Sequence, residues 1–347
     1  MKIKLTAIEY RKLLELSEKF AGSVEPGYRF LRLYYWKGLR AFITDGCGKL
    51  EVPLKKECSP FKGSYIIPLD HARVLKEQLQ DEASIIIVGE DQDLSIYAGG
   101  EKLRIEKART EGIPRMERKF ENLLLLKKSA FKNALDFSSA INDEGDNISF
   151  IFKDGVVCMV SSSHGMSVMN FLNEQASRDL QAHVPYVTVR HLVKTLELMK
   201  AEELYFGEGI EDLGIKAGVF LFSICADREE TFNSVPQRPK AETKVTIEKS
   251  QLLFSVRKMT KLVSRGMGVL MFSDRGSIRF MLKTGTFRYE KTVYKGSFEN
   301  FVARLDPHRL RSALSRMNAG KIELFLYKKQ LVLTGKGIGQ YLLIPLI

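Results

Sequence analysis

The chain has 347 residues, 44% of them hydrophobic and 28% charged, which is the composition of a globular protein long enough for two or three domains. The sequence contains no uncharged apolar run of the roughly 18 residues needed to cross a membrane, and its N-terminal segment has no signal-peptide core, so we expect a cytoplasmic protein. The formal net charge of +12 favours a polyanionic partner, nucleic acid before an anionic membrane.

The first predicted run of elements starts with a helix from about Thr6. A β-rich stretch, YRFLRLYYW, follows and closes at a turn on Gly38, with a second small-residue turn at Gly46. A second helix from about Leu69 precedes three short strands that end through Ala98-Gly99. Glycine suits such turns because they often need a positive φ, and Val, Ile, Phe and Tyr favour pleated strands.

The same plan of elements returns twice further along the chain. The second run has helices from about Lys127 and Val189 and turns at Gly155, Ser163 and Ala217-Gly218, and the third has helices from about Glu248 and Asp306 and turns at Gly276, Thr284 and Thr334-Gly335-Lys336-Gly337. The opening glycines lie 155 − 38 = 117 and 276 − 155 = 121 residues apart. Solenoid repeats run to about 20–50 residues, so this longer period indicates repeated domains.

The domain boundaries are predicted in two polar stretches that contain proline, ARTEGIPRMERKF (108–120) and FNSVPQRPKAETK (232–244). They divide the chain into three tandem domains of residues 1–118, 119–236 and 243–347. The predicted class is α+β, with two helices packed on antiparallel sheet in each domain.

The four cysteines, Cys47, Cys58, Cys158 and Cys225, are scattered and form no C-x-x-C pair. Structural zinc needs clustered thiolate or imidazole ligands, so no metal site and no cofactor is predicted. Because disulfides are rare in the cytosol, we expect reduced, half-buried thiols.

All six predicted helices carry basic residues away from their apolar stripe. A charged face often does no more than keep a surface helix in water, but on six helices lining one surface such charges would add into a band that faces phosphates. The candidate DNA-binding residues are Lys12, Arg73, Lys76, Lys128, Lys132, Arg190, Lys194, Arg257, Lys258, Lys261, Arg309, Arg311 and Arg316. Phosphate contacts carry no base information, so non-specific duplex binding is expected.

An enzyme, such as a nuclease or hydrolase, is the competing class. The run Ser161-Ser162-Ser163-His164 contains a nucleophile and a base, but adjacent turn residues rarely point at one another and no orienting acid is identifiable. The acidic group Asp143-Glu144-Gly145-Asp146 resembles a solvated turn more than a metal site. The sequence therefore predicts no catalytic residues.

Three tandem domains with basic helices resemble the bacterial DNA sliding clamp, the β subunit of DNA polymerase III, over the whole chain. The second domain of that family carries a stretch like A-T-D-G-H-R-L, in whose place this chain has Val160-Ser161-Ser162-Ser163-His164-Gly165-Met166. The family's terminal M-P-M-R-L corresponds to Leu342-Leu343-Ile344-Pro345-Leu346-Ile347 after Tyr341, and Thr44-Asp45-Gly46 echoes the turn in the first domain. Serines in place of Thr-Asp-Gly, Gly165 in place of Arg and the absence of a closing Arg-Leu are departures that leave the peptide preference open.

The resemblance implies a non-catalytic processivity factor with no membrane partner. Two head-to-tail subunits would close a homodimeric ring of six domains around double-stranded DNA, and the ring would tether the replicative DNA polymerase, the clamp loader and other proteins with clamp-binding motifs. The family's partner-peptide pocket corresponds to His164, Met166, Leu342, Ile344, Pro345 and Leu346.

The strongly basic balance leaves a second interpretation open. Clamps of this family are usually acidic overall, so a charge of +12 suggests a divergent or phage-encoded member. It also fits a monomeric basic processivity factor that adheres to DNA without forming a closed ring.

Overall fold

The computed structural model describes residues 1–22, 26–76, 80–81, 83–228 and 236–347. The first repeat consists of β1 (Lys2–Thr6), α1 (Ala7–Phe20), a 3-10 turn (Pro26–Tyr28), β2 (Phe30–Tyr35), β3 (Leu39–Thr44), β4 (Gly48–Pro53), β5 (Ser64–Pro68), α2 (Leu69–Val74), β6 (Ser84–Glu90), β7 (Asp93–Ala98), β8 (Glu101–Ile105) and a short β9 (Arg109–Thr110). The second consists of β10 (Glu121–Lys127), α3 (Lys128–Ser138), β11 (Asn147–Lys153), β12 (Val156–Ser163), β13 (Met166–Leu172), β14 (Leu180–Pro185), α4 (Tyr186–Leu198), β15 (Glu203–Glu208), β16 (Asp212–Ala217), β17 (Phe220–Cys225) and a short β18 (Asp227–Arg228). The third consists of β19 (Val245–Glu248), α5 (Lys249–Thr260), β20 (Val269–Asp274), β21 (Ser277–Lys283), β22 (Arg288–Lys295), β23 (Phe301–Leu305), α6 (Pro307–Arg316), β24 (Lys321–Tyr327), β25 (Gln330–Gly335) and β26 (Gln340–Pro345).

The predicted threefold order of elements is confirmed. The first helices begin at Ala7, Lys128 and Lys249, which are 128 − 7 = 121 and 249 − 128 = 121 residues apart. The backbone N–H of each of these residues donates to a backbone carbonyl later in the same repeat. The acceptor residue directly precedes the strand that follows the second helix. These acceptors are the carbonyls of Ala83, Glu202 and Gly320, at 2.9, 2.7 and 2.9 Å.

The three opening turns also lie where the sequence places them. Lys37-Gly38, Asp154-Gly155 and Arg275-Gly276 have positive φ at both residues, 50° and 116°, 51° and 75°, and 46° and 72°. Glycine is needed at the second position because larger side chains rarely adopt that conformation.

The helix starts follow local capping chemistry. Thr6 accepts a hydrogen bond from the backbone N–H of Glu9 at 3.2 Å, and the Glu9 carboxylate accepts one from the backbone N–H of Thr6 at 2.9 Å. This capping box fixes the start of α1. Helix α4 begins at Tyr186, 189 − 186 = 3 residues before its predicted start.

The chain divides into two compact units, each with its own sheets. The first unit comprises residues 1–128 and 191–226, with sheets in the strand orders β1-β6-β7-β8 and β10-β15-β16-β17-β4-β3-β2-β5-β9. The second comprises residues 129–190 and 227–347, with sheets in the orders β18-β14-β11-β12-β13-β26-β25-β24-β19 and β22-β21-β20-β23. The second repeat is therefore shared between the units, and residues 232–235 of its predicted boundary lie outside the described residues.

Strand pairing between successive repeats builds both nine-stranded sheets. In the second and third repeats the eighth main strand pairs with the fourth strand of the repeat before it. Strand β17 pairs with β4 at what we call the first joint, and β26 pairs with β13 at the second joint. These pairings bring together segments that are far apart in sequence.

Cys47 and Cys225 form a disulfide at the first joint, so the expectation of reduced thiols is wrong for this pair. Their separation of 178 residues concealed the pairing, which depends on the β4–β17 ladder. Cys58 and Cys158 are free thiols. In the described part of the chain, no helix has the length and apolar character to span a membrane.

Candidate functional site

Two sheet edges are the first candidate site. Among the described strands, β8 is the eighth strand of the first repeat and lies at the edge of its sheet, whereas the eighth strands of the other repeats, β17 and β26, lie inside a sheet. Likewise β22, the fourth strand of the third repeat, lies at an edge, whereas the fourth strands β4 and β13 lie inside a sheet. An unpaired edge presents a row of N–H and C=O groups that can pair with another chain.

The ladders fix which residues of the edges are counterparts of the residues at the joints. Phe222 lies opposite Leu50 at the first joint, and Leu342 lies opposite Val168 at the second. Leu103 is the counterpart of Phe222 and Leu342. These three residues lie opposite Ile96, Ile215 and Leu333, which in turn lie opposite Ile87, Phe206 and Leu324. The last three are equivalent because each lies four residues after the acceptor carbonyl of its repeat, at Ala83, Glu202 and Gly320. Tyr289 is the counterpart of Leu50 and Val168. The comparison starts at Ile67, Val184 and Leu305, each two residues before its second helix, which lie opposite Leu31, Ile148 and Val269. Continuing the β2–β3, β11–β12 and β20–β21 ladders by one residue leads to Ile43, Ser161 and Leu282, which lie opposite Leu50, Val168 and Tyr289.

Both edges are rich in charge. Strand β8 carries Glu101, Lys102 and Arg104, and the Arg104 guanidinium pairs with Asp93 at 2.5 Å within its own sheet. Strand β22 carries Arg288, Glu290 and Lys291, with Arg288 paired to Glu290. Charged edges oppose unspecific strand pairing, so a partner strand needs complementary charges.

Helix α5, which contacts the edge strand β22, has a large apolar side chain in solvent. Phe254 is 56% exposed, and the Lys258 ammonium lies 4.6 Å from the centre of its ring. Its counterparts, five residues after the first helical residue, are Lys12 in α1 and Asn133 in α3. Only the third repeat replaces a polar group here with an aromatic one.

The candidate peptide site lies at the end of the second joint that carries the β12–β13 turn, which we call the turn end. His164 and Gly165 form the turn between β12 and β13, with φ of 48° and 75°. Pro345 is exposed and Leu346 half-buried, and the Leu346 N–H donates to the Lys329 carbonyl at 3.0 Å. These groups give a surface of one imidazole beside apolar side chains.

Three residues of the predicted pocket are buried in the structure. Met166, Leu342 and Ile344 are no more than 1% exposed and belong to the core of the second unit. Their side chains face the sheet side covered by α5 and α6, and their part in an apolar pocket floor stays a prediction. A peptide at this surface has His164, Pro345 and Leu346 to contact.

Asp143 connects this turn to helix α6. Its carboxylate pairs with Arg309 and Arg265 and lies 3.3 Å from the His164 Nε2. Burial alone would raise the pKa of Asp143, but the hydrogen bond from Arg309, with the charges of Arg309, Arg265 and His164, holds it below its ordinary value. The acidic turn is therefore an ion-pair centre, where the sequence indicated a solvated loop.

The serine run makes structural contacts. Ser161 Oγ donates to the Ser138 carbonyl at 2.6 Å, and the Ser162 and Ser167 hydroxyls are 2.7 Å apart. Ser163 Oγ lies 3.4 Å from Arg309. These hydroxyls have partners other than His164, which disfavours a nucleophile and base arrangement.

Two of the predicted DNA-binding residues are used inside the fold. Arg309 is 3% exposed, and its guanidinium donates to the Ile141 carbonyl and to Asp143, so it is unavailable to phosphates. Lys128 donates from Nζ to the Met199 carbonyl at the end of α4. Its counterpart Lys249 donates likewise to the Met317 carbonyl at 2.6 Å, and burial lowers the pKa of Lys249. A lysine at this position caps the second helix of its repeat.

Four further candidates are held by neighbouring groups. Arg73 and Lys76 pair with Glu18 at 2.8 and 3.3 Å. Arg316 donates to the Asp136 carbonyl at 3.1 Å, and Arg190 lies over the Tyr186 ring at 5.6 Å. These contacts leave each side chain partly accessible.

The remaining candidates fit an interface with phosphates better. Lys132 is half-buried, and the exposed cations are Lys12, Lys194, Arg257, Lys258, Lys261 and Arg311. Sequence reasoning missed Arg265, whose side chain is 62% exposed just beyond α5, because it follows the last periodic residue of the helix. In the described ranges, no group of His, Cys, Asp and Glu side chains could hold a metal ion.

The comparisons with known proteins identify the fold. No family model and no curated protein sequence matches the chain. Solved structures do match it, including a DNA polymerase sliding clamp from Pseudomonas aeruginosa, at 15% identity and a TM-score of 0.84 over 100% of this chain and 99% of that one. Others are the DNA polymerase III β chain of Streptococcus pneumoniae, at 12% identity and a TM-score of 0.81, and a sliding clamp of Bartonella birtlesii, at 14% and 0.79, each over 100% of this chain and 99% of the other. The chain therefore has the sliding-clamp fold.

Proposed function

We propose that the chain is a sliding clamp, a DNA polymerase processivity factor that encircles duplex DNA as a head-to-tail homodimer in the cytoplasm. The observation that carries the proposal is the pairing rule of the joints. Two joints obey the rule within the chain, and the strands β8 and β22 are left to form the third with a second copy. Such a heterologous contact closes a ring when the rotation between copies permits it.

The register of the third joint follows from the other two. Leu103 of one copy would lie opposite Tyr289 of the next, as Phe222 lies opposite Leu50 and Leu342 opposite Val168. Because the strands are antiparallel, Glu101 then lies opposite Lys291, and Lys102 opposite Glu290. Opposite charges directly across a ladder stabilise it by about 0.2–1 kcal/mol per pair, so the charged edges are complementary to each other.

Phe254 supports the same contact. Its counterpart Lys12 lines a groove at the first joint, so Phe254 would line the third joint. Complete burial of a fully exposed phenylalanine contributes about 1.5–3 kcal/mol, and burial of the exposed part of Phe254 would contribute about half of that. An association that buries Phe254 accounts for an apolar residue at a position that is otherwise polar.

The exposed cations on the helices would hold the DNA without reading its sequence. Arg257 and Lys258 lie in the last turn of α5, and Lys261 is its C-cap residue. Arg311 lies on α6, which packs against α5. Arginine and lysine neutralise phosphates and release counterions whatever the base sequence. A ring that holds DNA by topology needs no stronger contacts.

Partner proteins would dock at the turn end of the second joint. His164, Pro345 and Leu346 offer apolar contact with one polar group, which suits a short linear peptide. The partners proposed are the replicative DNA polymerase, the clamp loader and other proteins with clamp-binding motifs. The clamp itself acts through binding and is not an enzyme.

Ring closure on DNA tests the proposal. In a Cys58→Ser background, Leu103→Cys and Tyr289→Cys place one cysteine on each edge, and oxidation in the presence of a nicked circular plasmid would seal both third joints. We expect the sealed protein to stay with circular DNA at a salt concentration that releases the unsealed protein, and to leave after a restriction enzyme linearises the plasmid.

The monomeric alternative predicts a different outcome. Direct adhesion through six to ten phosphates weakens by about 10³–10⁵-fold between 50 and 200 mM salt on circular and linear DNA alike. Equal loss of oxidised protein from both forms of the plasmid would therefore exclude an encircling ring.

A further inference from the structure

The groove that Lys12 lines lies within the first unit, at the end of the first joint away from the disulfide. It has a volume of about 740 Å³ and runs along α1, and we call it the α1 groove. Its lining comes from β1, α1, the end of β4 and the segment after it, the end of α4 and the residues that follow, and the β16–β17 turn: residues 5, 9, 12, 13, 15, 16, 52–56, 198, 200, 201 and 217–220. The volume is that of a ligand site.

The groove has an apolar floor. Leu13, Leu16 and Val52 are 6 to 8% exposed and form its base. Leu198 and Val219 stand at its sides with 37% and 53% of their surfaces in solvent. Burial of these two side chains would stabilise a bound apolar segment.

A short turn leaves this space open. Strand β16 ends at Ala217 and β17 begins at Phe220, so only two residues connect them. At the second joint four residues, 336–339, connect β25 to β26, and Ile338 among them packs on the core. The longer turn fills a space that the first joint leaves empty.

The rim of the groove is positively charged. Lys12, Lys55 and Lys200 are exposed, and in the described part of the chain no carboxylate lies within ion-pair distance of them. Of the two acids that line the groove, Glu9 pairs with Lys56 at 2.7 Å and Glu15 is exposed. The rim therefore offers three lysines against one carboxylate.

We infer that the α1 groove binds a short acidic and apolar peptide segment of a partner protein. The lining of α1 from residue 9 to residue 16 extends over about 10 Å at 1.5 Å per residue, the length of about three residues of extended chain. Apolar side chains of the segment would cover Leu198 and Val219, and its carboxylates would pair with Lys55 and Lys200. Phosphates of DNA would satisfy the lysines but leave the apolar floor exposed.

This inference does not depend on ring formation, so a peptide-binding measurement on the full chain tests it. The probes are two fluorescein-labelled peptides of equal leucine content, one alternating leucine with aspartate and the other leucine with lysine. Fluorescence anisotropy should show binding of the aspartate peptide and not of the lysine peptide. The Lys55→Glu/Lys200→Glu double variant should weaken that binding by roughly tenfold or more.

Two further variants separate groove binding from general charge attraction. Val219→Glu, at an exposed turn position, should weaken binding of the aspartate peptide, whereas Lys119→Glu, an exposed lysine outside the groove, should leave it unchanged. Thermal unfolding of each variant confirms that it is folded. Equal binding of both peptides, an equal effect of Lys119→Glu, or full binding by the double variant would overturn the inference. It would also be overturned if duplex DNA displaced the aspartate peptide and Val219→Glu left the binding of that peptide unchanged.

Discussion

The two joints have the same strand pairing but are closed at opposite ends. At the first joint the turn end is fastened by the Cys47–Cys225 disulfide and by Asp45, whose carboxylate lies 2.8 Å from Nδ1 of the buried His191. The other end opens into the α1 groove. At the second joint the turn end presents His164 and Pro345 to solvent.

The far end of the second joint is closed by backbone contacts. The Phe171 N–H donates to the Gly339 carbonyl at 2.9 Å, and a side chain at Gly339 would lie 2.5 Å from the Phe171 carbonyl oxygen. The Gln340 side chain accepts from the Asn318 N–H at 2.8 Å. The shared ladder thus fixes how repeats join, while the turns at its two ends decide where a partner can bind.

The largest expected effect separates core from surface at the open turn end of the second joint. Ile344→Ala removes a fully buried side chain and should lower the free energy of unfolding by about 2–5 kcal/mol. Leu346→Ala, two residues on and half-buried, should cost clearly less while weakening peptide binding. Equal losses in urea unfolding would mean that both side chains belong to the core.

Reduction should weaken the first joint. The disulfide closes a long loop, so Cys47→Ser should lower the free energy of unfolding by about 2–4 kcal/mol under oxidising conditions. Cys58→Ser should have no comparable effect, because Cys58 is a free thiol. If wild-type protein unfolds at the same urea concentration with and without reductant, the disulfide does not fasten this joint.

Asp143 should give the second joint a sensitivity to acid. Asp143→Asn removes the carboxylate partner of buried Arg309 and should cost about 1.5–3 kcal/mol at neutral pH. Since the pKa of Asp143 lies below its ordinary value, its stabilisation is complete above about pH 3.9 and is lost as the pH falls through the lower folded-state pKa.

The Asp143→Asn variant should therefore lose less stability than wild type over that acid range. Asp274→Asn is the matched control, as the Asp274 carboxylate is 52% exposed and 4.0 Å from Arg275. Parallel acid profiles for wild type and Asp143→Asn would contradict the assignment.

The smallest expected effect concerns the proposed third joint. Glu101→Lys or Lys291→Glu alone should weaken dimerisation by about 0.2–1 kcal/mol, and the double swap should restore it because the opposite charges face each other again. Sedimentation at several concentrations measures the difference. Additive losses in the double variant would show that Glu101 and Lys291 do not meet.

The sequence predicted the repeated elements well because their signals are local. The turns at Gly38, Gly155 and Gly276 and five of the six helix starts depend on residues close in sequence. The joints were not predicted from the sequence, because their ladders pair strands from different repeats, such as β4 and β17, that are far apart along the chain. The sharing of the second repeat between two units has the same cause.

The candidate sites were predicted less completely, because a sequence pattern shows which residues leave the apolar stripe but not what they meet. Arg309 leaves that stripe and is nevertheless buried against Asp143. Lys128 caps α4, and Ile344 faces the core where the resemblance implied a pocket. Each outcome depends on contacts with residues far along the chain.

Cysteine crosslinking of the edges tests the central claim most directly. In the Cys58→Ser background, mild oxidation of the Leu103→Cys/Tyr289→Cys protein should give a covalent dimer of twice the 39.5 kDa chain mass. Leu103→Cys/Glu290→Cys, displaced by one residue, should remain largely uncrosslinked. A protein that stays monomeric, or that crosslinks equally in both registers, would contradict the proposed third joint and the ring that depends on it.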